Sequence, residues 1–189
     1  MSTIVVAKKN GTVSIGADSL FSYGSTAQQR KYLENSSKLV RAGDNIFAFV
    51  GHASWGLILD DILSSYSDLP TFSSAHEVFS FSKHLHKTLK EDFFLNPKDD
   101  DDDPFESTHL ECLIASPYGI FGLCSMRSVE HFSRFSSYGS GYQYALGAMH
   151  SQFETSFSSE EVAQAGLAAS ADFDEASSAP FDIESISLR

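Results

Sequence analysis

Residues 3–9, Thr-Ile-Val-Val-Ala-Lys-Lys, form an apolar β-branched run that stops at Asn10-Gly11, a pair suited to a two-residue hairpin turn. Residues 12–18 return as the partner strand. Residues 19–37 are polar and predict an irregular excursion. Residues 38–41 and 45–52 predict a second hairpin around Gly43-Asp44. Its run Ile46-Phe47-Ala48-Phe49-Val50 is apolar on both faces, as in a central strand covered on both sides. A helix follows, with Ser54 as its cap and Trp55, Leu57, Ile58, Leu59, Ile62 and Leu63 as a broad apolar face; Pro70 stops the helical pattern. Ser74-Ala75-His76-Glu77 reads as a capping box, and Val78, Phe81, Leu85 and Leu89 then recur at helical spacing.

The second half repeats this order. Residues 111–115 and 120–125 predict a hairpin around Ser116-Pro117-Tyr118-Gly119, and residues 129–138 predict one further strand. Gly139-Ser140-Gly141 opens a helix to about Glu154, and Ser158-Ser159-Glu160-Glu161 caps another. Residues 174–180 predict a polar turn and residues 181–188 a last alternating strand. Two strand groups, each followed by a helix pair, predict an α+β fold: a four-layer αββα sandwich in one domain spanning residues 1–189. Alternating βα units are lacking, which excludes a doubly wound sheet or a TIM barrel.

Composition narrows the function. Hydrophobic residues at 42% and charged residues at 20% are ordinary for a folded domain. The net charge of −12 argues against nucleic acid as a partner and against a polybasic membrane anchor. No apolar run spans a bilayer and no leader pattern opens the chain, so a cytoplasmic location is expected, with no membrane partner. Two cysteines, Cys112 and Cys124, exclude a zinc ribbon or a disulfide framework. They lie near mirror positions of the predicted hairpin and read as buried apolar thiols. The acidic loop 96–104 contains Asp99–Asp103. It lacks the spaced ligands and turn glycine of a calcium loop, and reads as a solvated surface insertion.

Phosphate-loop, dinucleotide, zinc-protease and nucleophile-elbow motifs are absent. His84 and His86 are two apart and would point to different faces of a helix. The remaining candidate is the N-terminus. Removal of Met1 would leave Ser2 with an amine and a hydroxyl on one residue, and an α-amine titrates close to neutrality. It can act as general base for its own hydroxyl.

The ordered motifs make this specific. Met-Ser-Thr-Ile-Val-Val-Ala-Lys-Lys-Asn-Gly at residues 1–11 resembles the start of HslV-type peptidases and the mature start of proteasome β subunits. Ile15-Gly16-Ala17-Asp18-Ser19, Ser37-Lys38-Leu39-Val40, Ala48-Phe49-Val50-Gly51-His52-Ala53, Tyr138-Gly139-Ser140-Gly141 and Asp174-Glu175-Ala176-Ser177 resemble further segments of that family in the same order. Together they cover nearly the whole chain and are most like the free-standing bacterial proteasome homologues.

The resemblance implies an N-terminal nucleophile peptidase needing no metal or organic cofactor. Ser2 would attack the scissile carbonyl, Lys38 would place positive charge beside it, and Asp18 would hold Lys38. The Ala48 amide would stabilise the oxyanion, and Ser140, Asp174 and Ser177 would orient the new amine. Ile46 would wall the substrate pocket. The resemblance also implies self-association into stacked rings of roughly 12 or 14 subunits, polypeptide substrates and an AAA+ unfoldase partner. Serine replaces the family's usual threonine and so lacks the methyl that restricts χ1. Alanine stands at position 48 where the family usually has glycine. Two other readings compete: a catalytically silent ring scaffold of the same fold, favoured if Met1 is retained, and an amidase acting on small amides.

Overall fold

Strict alternation along three strands produces the layering. In the computed structural model, which describes residues 2–98, 100 and 102–189, β1 (Thr3–Lys9), β6 (Asn45–Val50) and β7 (Glu111–Ser116) are each buried on both faces. Met1, Asp99 and Asp101 lie outside the described residues, and with them the fate of Met1 and part of the acidic run. Ile4, Val6, Ile46, Ala48, Val50, Leu113 and Ala115 share one core. Val5 and Ala7 turn to a second core, and Phe47, Phe49, Cys112 and Ile114 to a third. Three cores separate four layers, the αββα sandwich.

One sheet has the order β10-β1-β2-β11 and the other β5-β6-β7-β8-β9, with every pairing antiparallel. The remaining strands are β2 (Thr12–Ala17), β5 (Leu39–Ala42), β8 (Gly119–Leu123), β9 (Val129–Phe132), β10 (Phe135–Gly139) and β11 (Asp182–Ser187). Helices α3 (Tyr142–Phe153) and α4 (Ser159–Phe173) cover the first sheet through Ala145, Met149, Val162 and Leu167. Helices α1 (Trp55–Ser64) and α2 (Ala75–Glu91) cover the second. On that side Phe47, Phe72 and Phe81 pack edge-on or tilted at 5.3–6.0 Å, a geometry that adds about 0.5–1.5 kcal/mol per pair beyond area burial. Among the described residues no helix is long and apolar enough to cross a membrane.

Four local expectations are corrected. The excursion at 19–37 contains a two-stranded ribbon, β3 (Phe21–Tyr23) with β4 (Thr26–Gln28). The single strand expected over 129–138 is two strands in different sheets, parting at Ser133-Arg134. Ser54 does not cap α1 with its side chain; its hydroxyl lies 2.9 Å from His52 Nδ1. The cysteines are not both buried thiols: Cys112, opposite Leu123, enters the helix-side core, and Cys124 is half-buried.

Candidate active site

The start of β1 is held by its neighbours on both sides. Asn10 and Gly11 adopt positive φ, so the hairpin returns tightly and β2 delivers Asp18 beside Thr3. The Thr3 amide donates to Asp18 Oδ1 at 2.9 Å, and the Asp18 amide donates to the Thr3 carbonyl at 3.0 Å. The same Oδ1 accepts from Lys38 Nζ at 2.8 Å, and Oδ2 accepts from the amides of Leu20 and Ser178. The Asp18 carboxylate is thus fully engaged. Lys38 also donates to the Leu20 carbonyl at 2.7 Å and lies 5.2 Å from the centre of the Phe21 ring. Burial holds the Lys38 ammonium below the ordinary lysine value, and the attraction of Asp18 opposes that shift without cancelling it.

The other flank is β10. Ser140 donates its amide to the Ser2 carbonyl at 2.9 Å. Gly139 precedes it with φ near +97°, and a Cβ there would stand 2.0 Å from the Ser2 carbonyl oxygen. Only glycine fits this close approach. Beyond Ser140, the hydroxyls of Ser140 and Ser177 donate to Asp174 Oδ2 at 2.8 and 2.7 Å. The Ser177 proton is used on the carboxylate, so in the 2.7 Å contact between Thr3 Oγ1 and Ser177 Oγ it is Thr3 that donates. Asp174 is carried by the end of α4, where its amide binds the Ser170 carbonyl.

Ser2, Asp18, Lys38, Ser140, Asp174 and Ser177 therefore lie in one connected region. Ala48 and Ile46 lie elsewhere. Ala48 is inside β6, opposite Leu39 and Leu113, with no exposed surface, and Ile46 is equally buried in the core between the sheets. The residues of this segment that reach the open space beside Ser2 are Val50 and Gly51. Thr3, Gly51 and Gly139 lie inside the quoted motifs without a predicted role, and Ser178 lies just outside them. The sequence signal for Thr3 is a threonine opening an otherwise apolar strand run.

Two hollows adjoin this region and share no residue. The larger, about 890 Å³, runs from Ser2 along Val50, Gly51 and residues 136–140, at the end of β10 and just beyond it, to Cys124, Glu130 and Phe132. The smaller, about 290 Å³, flanks Lys38 and is lined by Phe21, Ser37, Val40, Gly56 and Leu57 among others.

The chain matches no protein-family model and no curated protein. Among solved structures it is similar to Thiobacillus denitrificans BPH in complex with epoxomicin, with 36% identity, a TM-score of 0.93 and 99% of each chain covered. It is similar to BPH of the same organism in a second structure, again at 36% and 0.93, with 99% of this chain and 98% of that chain covered. Eukaryotic HslV from Trypanosoma brucei shares the fold at 18% identity and a TM-score of 0.66, with 98% and 99% covered. With its fold and a relative this similar over its full length, the chain belongs to the proteasome-like N-terminal nucleophile hydrolase family.

Proposed function

We propose that this chain is a proteasome-type peptidase subunit that hydrolyses peptide bonds through Ser2 once Met1 is removed. One observation carries the reading: a single oxygen, Asp18 Oδ1, binds both the Lys38 ammonium and the amide that follows Ser2. This fixes a buried positive charge next to the chain end, where it favours a neutral α-amine and a more acidic hydroxyl.

The α-amine takes the Ser2 hydroxyl proton as Oγ attacks the scissile carbonyl carbon. Charge collects on the carbonyl oxygen, and the Gly51 amide at the cavity wall stabilises it in preference to the enclosed Ala48 amide. The protonated amine then gives its proton to the leaving nitrogen, the C–N bond breaks, and Ser2 carries the acyl group as an ester. Water, deprotonated by the same amine, attacks this ester and frees Oγ. Ser140, Asp174 and Ser177 hold β1 and the chain end in register throughout. The expected substrates are unfolded polypeptides. Self-association is supported by exposed Tyr142, Tyr144 and Phe173 on the outer helices, with Tyr144 and Phe173 rings 5.6 Å apart. Stacked rings fed by an AAA+ unfoldase are the assembly in which such a subunit would act.

Intact mass after incubation with epoxomicin, the compound bound in the BPH structure, tests this. An epoxyketone adds to the hydroxyl and the amine of one terminal residue without loss of atoms. A species lacking Met1 with one inhibitor per chain is expected. A species retaining Met1 with no adduct would favour the ring scaffold instead. Turnover of small amides without cleavage of unfolded protein would favour the amidase.

A further inference from the structure

The larger hollow is built around a carboxylate that the mechanism above does not use. Glu130 on β9 faces Gly122 on β8 across the sheet. A Cβ at Gly122 would stand 2.0 Å from the Tyr138 hydroxyl, so the absent side chain is what admits that hydroxyl. Tyr138 Oη donates to Glu130 Oε2 at 2.7 Å. Burial and this bond to a carboxylate push the phenol up, which keeps it a donor. Around Oε1 stand only longer contacts, Ser128 Oγ at 3.4 Å and Cys124 Sγ at 3.8 Å, leaving acceptor capacity on that oxygen. Glu111, exposed at the mouth, adds a second carboxylate, and none of the residues lining the hollow is lysine or arginine. The walls between are largely apolar, with Val50, Phe132, Leu146 and the Tyr138 ring beside Ser136, Ser137 and His109. An apolar passage ending on a fixed carboxylate suits a long cationic side chain, whose stem packs while its head pairs.

The hollow begins at the nucleophile. Ser140 faces Ser2, and Tyr138 is two residues further along β10, roughly 7 Å at strand rise. A lysine or arginine next to the cleaved bond spans that length. The side of the bond follows from the proton path. The amine of Ser2 must protonate the departing nitrogen, and the residues that grip the chain end from β10, Gly139 and Ser140, are also walls of this hollow. The departing half of the substrate therefore lies over it, and the smaller hollow beside Lys38 is left to the acyl half.

We propose, resting on the peptidase reading above, that this cavity binds the side chain immediately after the scissile bond and selects lysine or arginine there through Glu130. Tyr138 acts as a positioning residue that aims the carboxylate. The test uses the assembled, Met1-processed protein and internally quenched peptides identical except for that residue: lysine, arginine, norleucine or glutamate. The expected result is a kcat/KM for lysine and arginine about tenfold or more above norleucine, with glutamate lowest. Raising the salt concentration should shrink the advantage, which a steric preference would not do. Glu130→Gln should bring the lysine-to-norleucine ratio to about one, and Tyr138→Phe should lower it part of the way, each variant being checked for native circular dichroism. Cleavage of all four peptides at equal rates, or a lysine preference that survives Glu130→Gln, overturns the cavity assignment and leaves the peptidase reading standing. Cleavage of none of them overturns both.

Discussion

The Lys38 ammonium lies 2.8 Å from the Asp18 carboxylate, with 4% of the lysine side chain exposed and none of the aspartate. The pair is satisfied on both sides, by three backbone amides on Asp18 and by the Leu20 carbonyl on Lys38. Removing one partner strands a charge, which in buried pairs costs about 3–5 kcal/mol. Asp18→Asn is therefore expected to lose about that much in denaturant unfolding and all peptide turnover. Asp18→Asn with Lys38→Met should regain much of the stability and none of the turnover. A single variant as stable as the parent would show that the pair does not hold the site.

The same burial makes stability depend on alkaline pH. Native Lys38 has its pKa lowered, first by burial, while the unfolded lysine keeps the ordinary value near 10.5. Between the two values the unfolded chain binds more protons, so stability rises with pH across that window. Denaturation midpoints of the parent minus those of Lys38→Met should climb as pH rises toward the ordinary lysine value near 10.5. A flat difference would contradict the argument.

Ser177 passes no proton to substrate, yet it accepts from Thr3 and donates to Asp174. Ser177→Ala unties the side chain of Thr3, the residue that follows the proposed nucleophile Ser2. Misplacement by about 1 Å can cost on the order of 100-fold in rate. The expected signature is a fall in kcat toward that size with KM little changed, and about 1 kcal/mol lost in stability. A rise in KM alone would point to a binding role instead.

Outside the hydrogen-bond network around Ser2, Glu106 accepts from His86 at 3.0 Å and from Lys90 at 2.7 Å. These hydrogen bonds, His86 first, hold its carboxyl down at about 2. Its contribution is present above the ordinary carboxylate range and fades as pH falls through about 2. Arg127 binds the Glu106 carbonyl as well, so the segment before β7 is clamped to α2. Glu106→Gln should speed amide hydrogen exchange near residues 105–109 at neutral pH, and unchanged protection would remove the clamp from the account.

What was legible in the chain was what local chemistry decides. β1 occupies the seven residues of the apolar run, and Ser158 makes a full capping box with Glu161. Where several local partners compete, legibility drops: Glu77 spends its carboxylate on Thr71 and Ser73, leaving half of the box expected at Ser74. The phase of a strand says which residues share a face, but not which face is open. Ile46 and Ala48 alternate correctly and still point into the sealed core between sheets, while the turn after β6 carries Gly51 to the cavity. Nothing in the alternation of residues 129–138 marks the change of sheet at Ser133-Arg134. The Glu130–Tyr138 contact depends on that change and on the bare backbone at Gly122, both settled only by tertiary packing.

That change of sheet shapes how the cavity can diversify. β9 and β10 are neighbours in the chain, yet each forms the edge of its own sheet, so the space between them is an outcome of chain path and not of side-chain size. Substitutions at Cys124, Phe132 or Leu146 can recontour the walls without closing the opening or loosening the strands that anchor Ser2. On the proposed peptidase reading, selectivity is thereby free to drift across generations while the frame around Ser2 stays constant.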